Sequence, residues 1–343
     1  VRIFAKKPDF TIPETGISAV EKVKVGGIDQ YLLLQGERKD NPILLFLHGG
    51  PSMPLPGVSS RGRDYTVATN TRELVKHYVV AFWDQRGTGK SYSAGIAPES
   101  MTLEQFVSDA NDIVDLLSAR FGQRKLYLAG HSFGTLIGLT LAKRYPEKFH
   151  SYTGLSQIVS WSENDKLSYV WALKEARRRK HKKALAELEA VGEPPYLEGL
   201  EQWGVLRKWQ TRFQSLVYSD ETIRHPGLVR VTMDMFRSKD YGLQDVVNSF
   251  YRGFKLVYAG PFLDALPSID MADTVREIDI PVTFIHGRKD VHVHGELVRR
   301  YADNLEAKRG KRLIWVDHSS HLFHPIDTKQ IESILIQEKS RTR

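Results

Sequence analysis

Two kinds of hydrophobic patterning divide the chain. From Ile17 to about Gln157, short apolar runs alternate with amphipathic stretches. Val20–Val25 and Gln30–Leu34 predict a hairpin that turns at Gly26-Gly27. Ile43–Leu47 is continuously apolar and runs into His48-Gly49-Gly50-Pro51; Tyr78–Trp83 is another such run and leads into Asp84-Gln85-Arg86-Gly87. Uninterrupted runs of this length suit strands covered on both faces of a parallel sheet. A Thr-x-x-Gln capping box (Thr102, Gln105) opens a helix with apolar positions Phe106, Val107, Ala110, Ile113, Val114 and Leu117, and Phe121-Gly122 closes it. Lys125–Ala129 is the next predicted strand and Phe133–Tyr145 the next helix, stopped at Pro146.

Between about Ile158 and Leu266 the strand runs vanish. Helical spacing takes over, and Trp161, Trp171, Trp203 and Trp209 fall here. From Ile278 the first rhythm returns: a strand over Pro281–Ile285, a helix over Glu296–Leu305, a strand over Leu313–Val316, and a last helix capped by Asp327. The pattern predicts an α/β architecture, a mostly parallel central sheet flanked by helices, in three parts: core over 1–157, an inserted all-helical cap over 158–266, and core again over 267–343.

Composition narrows the chemistry. The 343 residues include no cysteine, which excludes disulfides, thiol nucleophiles and thiolate metal sites. No apolar run approaches the roughly 20 residues of a membrane span, and Val1–Thr15, broken by Lys6, Lys7, Pro8 and Asp9, has no signal-peptide pattern. The expectation is a cytoplasmic protein with no membrane partner. The net charge of +8 raises nucleic acid as a partner, but the one tight basic cluster, Arg177–Lys183, lies in a helical pattern with Ala172, Ala176, Ala184 and Leu188. It reads as a solvated helix face, and no nucleic-acid partner is expected.

The sharpest local signal is Gly130-His131-Ser132-Phe133-Gly134, a Gly-x-Ser-x-Gly placed between a predicted strand and a predicted helix. That context is what a nucleophile elbow requires: the turn is too tight for side chains at the flanking glycines and lifts the serine out at the carboxyl end of the sheet. A serine hydroxyl needs a base, and the base needs an orienting acid. Asp290 and His321 follow the last two predicted strands, in the order such a sheet demands. His318 is the second choice of base, and Asp270, Asp273 and Asp279 stand at the wrong end of their strand. His292 and His294 with the later histidines raise a metal site, but no metal-ligand spacing accompanies them, and no metal is expected. Two backbone N–H groups must face the developing oxyanion; Phe133 supplies one and Gly50, in the loop after Ile43–Leu47, the other. Gly87-Thr88-Gly89-Lys90-Ser91 ends like a phosphate loop, yet Asp84 occupies the required first glycine, so the segment reads as a structural loop with Arg86 buried and hydrogen-bonded.

Taken together, His48-Gly49-Gly50-Pro51, Asp84-Gln85-Arg86-Gly87, the elbow at Ser132, Gly287-Arg288-Lys289-Asp290 and Ser320-His321 resemble the α/β-hydrolases, specifically the prolyl iminopeptidase branch. The resemblance implies a Ser132–His321–Asp290 triad, oxyanion donors at Gly50 and Phe133, a helical cap and no cofactor. The sequence departs from that family where specificity is set: His131 and Phe133 replace the elbow's usual glycine and tryptophan. The family's amine-binding Trp-Glu pair has its nearest counterpart in Phe213-Gln214, which leaves Gln214 as a neutral substrate contact. Glu163, Glu201, Glu221 and Asp234 are the acids that could stand in. The expected activity is therefore hydrolysis of small apolar carboxylic esters through an acyl-enzyme. The alternative is an aminopeptidase releasing proline or another small apolar residue, with a small ester or a short peptide as substrate in the two cases. An acyltransferase or a non-catalytic ligand receptor ranks below both.

Overall fold

The structure is a computed structural model that describes residues 6–197 and 199–341. Eight strands form one sheet: β1 (Ile17–Val25), β2 (Ile28–Gly36), β3 (Ile43–Leu47), β4 (Val79–Asp84), β5 (Leu126–His131), β6 (Phe149–Leu155), β7 (Val282–Gly287) and β8 (Lys311–Val316). Their spatial order is β1-β2-β4-β3-β5-β6-β7-β8. The six strands from β4 to β8 run parallel, so their carboxyl ends share one edge of the molecule. The hairpin β1–β2 closes one side antiparallel, with Val25 paired to Ile28 across the Gly26-Gly27 turn.

Alternation along each strand builds two cores. Ile43, Leu45 and Leu47 face one layer, together with Phe106, Ile113 and Leu117 of α1 (Leu103–Phe121) and Leu136 and Ile137 of α2 (Phe133–Arg144). Leu44 and Phe46 face the other layer, together with residues of a C-terminal helix described below. This is why β3 reads as a continuous apolar run. Gly122 ends α1 in the left-handed conformation, φ 64°. The capping box is only half formed: Thr102 accepts from the Gln105 N–H, but the Gln105 side chain turns away to Asp109.

The segment between β6 and β7 holds α3 (Trp161–Arg178), α4 (Lys182–Val191), α5 (Leu200–Arg212), α6 (Gly227–Phe236), α7 (Leu243–Val247), α8 (Gly253–Tyr258) and α9 (Pro261–Ala265). The basic run does not lie within one helix. Lys180 takes a left-handed φ of 52°, α3 ends before it, and His181 caps α4 by accepting from the Ala184 N–H. After β7 come α10 (Gly295–Asn304) and, after β8, α11 (Pro325–Arg341), whose Ile331 and Leu335 cover the second core layer. Asp327 is not the cap of α11. It lies buried in the first turn and accepts from the His318 N–H, His318 Nδ1 and Ser319 Oγ, pinning the loop after β8. Among the described residues no helix is long and apolar enough to cross a membrane.

Candidate active site

Ser132 sits in the sharp turn from β5 into α2, with φ 52° and ψ −121°, a backbone conformation rare for any residue with a side chain. Its neighbours explain why the turn needs glycine. A Cβ on Gly130 would lie 2.6 Å from the Gly134 carbonyl oxygen, and one on Gly134 would lie 2.2 Å from that of Leu47. Phe133 is the first residue of α2, where an N–H has no intrahelical acceptor and the helix dipole favours negative charge. Its side chain packs into the core against Phe106 and Phe262.

The carboxyl-edge loops bring Ser132, His321 and Asp290 together. His321 Nε2 lies 2.8 Å from Ser132 Oγ, and His321 Nδ1 lies 3.1 Å from Asp290 Oδ2. All three are buried, with 8% of Ser132 accessible. The Asp290 carboxylate is fixed at both oxygens. Oδ1 accepts the backbone N–H groups of His292 and Val293, and Oδ2 also accepts from Ser156 Oγ at 3.0 Å. Burial alone would raise the Asp290 pKa, but the charge and hydrogen bond of His321 outweigh it and hold the carboxyl below its usual range. The alternative base, His318, points away to Asp327. Asp270 instead caps the single turn Met271–Thr274.

The loop after β3 lies beside the serine. Gly49 approaches so closely that a Cβ there would be 3.0 Å from Ser132 Cβ, and Gly50 (φ 119°) lines the same cavity. Gln85 braces this loop: its N–H donates to His48 Nε2 and its side-chain amide to the His48 carbonyl oxygen. His48 Nδ1 therefore carries the proton and donates to the Gly49 carbonyl oxygen. Burial pushes the His48 pKa down to about 4, so the ring stays neutral. Arg86 is buried against Asp109 through Nε (2.8 Å) and a terminal nitrogen (2.9 Å), which makes this loop structural.

A cavity of about 620 Å³ opens above Ser132. Its floor is Gly49, Gly50, His131, Ser132, His292 and His321; its roof comes from the helical segment, including Trp161, Trp203, Phe254 and Tyr258. Trp203 and Phe254 both pack on Tyr258, with ring centroids 4.8 and 4.6 Å apart. Trp171 and Trp209 pack on Phe213 instead. Gln214 is not in this lining. It ends the turn after α5 with φ 66° and an exposed side chain, so the helix terminus carries it away from the cavity. Glu163 pairs with Arg300 and Asp234 with Lys6, and Glu201 and Glu221 are exposed. No carboxylate is among the described lining residues.

Ser156 and Asn164 escaped the sequence reading, and His292 entered it only as a candidate metal ligand. Ser156 follows β6, a strand whose polar Ser151 and Thr153 hide its burial; recognising that strand would have placed its loop on the same edge. His292 accompanies Asp290 and meets Ser215 Oγ through Nδ1 at 3.0 Å. Asn164 bonds both the His292 carbonyl oxygen and the His294 N–H from α3. Among the described residues the histidines form no metal-binding cluster.

The sheet, the elbow and the acid and base loops define an α/β-hydrolase. The family model for serine aminopeptidase S33 matches residues 67–239, which include the elbow and part of the helical segment. A Bacillus subtilis protein named "Probable aminopeptidase YbaC" is 31% identical over 323 residues, covering 91% of this chain and 94% of that protein. The proline iminopeptidase of Saccharolobus solfataricus is 22% identical, covering 87% and 85%. The solved proline iminopeptidase-related protein of Thermus thermophilus superposes with a TM-score of 0.60 at 18% identity, over 95% of this chain and 98% of that one. The chain belongs to the serine aminopeptidase S33 family, in the prolyl iminopeptidase-like branch of the α/β-hydrolases.

Proposed function

We propose that the chain is a serine hydrolase that cleaves small apolar carboxylic esters through an acyl-enzyme on Ser132. The observation that carries this reading is the continuous hydrogen-bonded line from Ser132 Oγ through the His321 ring to Asp290 Oδ2. His321 Nε2 takes the serine proton as Oγ attacks the ester carbonyl carbon. The carbonyl oxygen gains charge facing the N–H groups of Phe133 and Gly50, and the same Nε2 returns the proton to the departing alkoxide. Water, deprotonated by His321, then releases the acid and restores the hydroxyl. Asp290 holds the imidazole in the required tautomer and stabilises the imidazolium. No cofactor enters this sequence.

A second reading, an aminopeptidase, is supported by the names of the relatives. It uses the same residues and asks the cavity to hold an ammonium group. The lack of a carboxylate among the described lining residues favours the ester. Fluorophosphonate labelling tests the shared core: wild type labels and Ser132→Ala does not, while Asp290→Asn slows ester turnover by about 10³- to 10⁴-fold. Comparing p-nitrophenyl butyrate with proline p-nitroanilide separates the two readings. Preferred turnover of the anilide would reverse their order, and unimpaired labelling of Ser132→Ala would refute both.

A further inference from the structure

The charge around the cavity is one-sided. Helix α5 lays a single stripe along the roof, Leu200, Trp203, Gly204, Arg207, Lys208 and Thr211, with Arg212 at its end. This spacing of three and four residues keeps one helix face over Ser132. It brings three cations to the lining and no acid.

The three cations are differently engaged. Arg207 is largely buried, stacked 5.7 Å from the Trp161 ring and 5.0 Å from the Trp203 ring. Behind it, Asp165 and the Gln210 side-chain oxygen bind its terminal nitrogens. Lys208 is held by Glu187 at 2.5 Å. Arg212 is exposed, lies 5.2 Å from the Trp209 ring and makes no ion pair among the described residues. Asp165 and Glu187 thus balance Arg207 and Lys208, and among the described residues Arg212 has no counter-charge. His131 and His292 on the floor add none: burial pushes His131 down to about 3 and His292 well below its usual range, so both of these rings are neutral. Among the described lining residues an ammonium group would meet no counter-charge and one unpaired cation. A carboxylate would meet a guanidinium, on the edge of walls that are mostly apolar.

We propose that this cavity selects substrates bearing a carboxylate on the part remote from the scissile bond, with Arg212 as its partner. The inference rests on reading the cavity as the acyl-transfer site of Ser132. It replaces "small apolar ester" with an apolar ester that ends in a negative charge.

The test uses three matched probes on the intact protein: 3-phenylpropanoate, 3-phenylpropanamide and 3-phenylpropylamine, with binding read by calorimetry at low ionic strength. The anion binds about 5- to 30-fold more tightly than the amide, and the amine most weakly. In about 0.5 M salt the advantage shrinks, because an exposed charge is screened. Arg212→Glu removes the advantage. Arg309→Glu makes the same change in net charge in the exposed loop leading to β8, at the amino edge of the sheet, and leaves the advantage in place. Equal binding of anion and amide, tighter binding of the amine, no binding of any probe, or an advantage that survives Arg212→Glu would each overturn the proposal. Fluorophosphonate labelling of the same preparations separates the two claims. Labelling without charge selection refutes the carboxylate alone, whereas charge selection without labelling refutes the role of Ser132 and leaves Arg212 as the selector.

Discussion

His131 Nε2 lies 2.9 Å from the main-chain carbonyl oxygen of His321. The residue before the nucleophile thus holds the loop that presents the imidazole to that nucleophile. Since a carbonyl only accepts, Nε2 carries the proton. Burial is the chief cause that pushes the His131 pKa down to about 3, so the donor persists across the physiological range. The elbow and the base are therefore tied twice, once through Ser132 Oγ and once through this bond.

His131→Gly removes the second tie and leaves the Ser132 hydroxyl in place. Phosphonate labelling of Ser132 is expected to slow by about 10- to 100-fold, the size of effect that small misplacements produce. His131→Gln, which can still donate to the carbonyl, recovers most of the rate. An unchanged labelling rate in the glycine variant would show that the bond does not position His321.

Asp109 is fully buried and accepts from Gln30, Gln105 and both faces of the Arg86 fork. Arg86 also donates to the Gly26 carbonyl oxygen, which ties the hairpin turn to the loop after β4. Asp109→Ala would strand a guanidinium without its counter-charge, and the expected loss is about 3–5 kcal/mol. Urea denaturation measures it. A loss below 1 kcal/mol would mean that water reaches Arg86 in the variant.

Acidification has a definite sign. Burial lowers His48 to about 4, His131 to about 3 and His225 to about 4. Between about pH 6.5, where an unfolded histidine titrates, and pH 4, the unfolded chain binds protons that the folded one refuses. Stability therefore falls as pH falls, by about 1.4 kcal/mol per pH unit for each such group. Asp84 opposes them. Burial raises it to about 6 despite hydrogen bonds from Tyr241, Val58 and Lys90, so its contribution is present at low pH and is lost as pH rises through 6. Burial also lowers His150, His286, His292 and His294 and raises Asp165, Asp240 and Glu332; the histidines outnumber the carboxyls, so the urea midpoint should drop between pH 6.5 and 4.5. His131→Gln should drop less steeply, and a midpoint that rose on acidification would contradict these burial assignments.

Residues whose fate is settled by their immediate neighbours were legible in the chain. The apolar runs of β3, β4 and β5 needed no partner to be read as buried strands, and Gly130 and Gly134 announced a turn that only glycine can make. Ser132, Asp290 and His321 followed because each stands just past such a run. Strand β6 was not legible: His150, Ser151, Thr153 and Gly154 dilute its apolar character, although only His150 escapes burial. Asp327 read as a helix cap because an acid near a helix start normally serves that end, whereas here it binds the loop before it. Gln214 is the nearest match to the glutamate of a Trp-Glu pair, and the left-handed turn after Phe213 sends it outward. The α5 stripe shows the limit most clearly. Its period reveals a face, but not that the face covers a serine more than 60 residues earlier.

The roof is fastened to the floor at several points. Asn164 brackets His292, Ser215 meets both His292 and Ser320, and the Tyr241 hydroxyl reaches Asp84 at 2.5 Å. These bonds leave little freedom for a hinged opening. A molecule bound for the serine must pass a doorway framed by side chains, where Leu200 and Phe254 stand partly exposed. Rotation of those two side chains would be the smallest change that widens the way in, leaving the vault behind them intact.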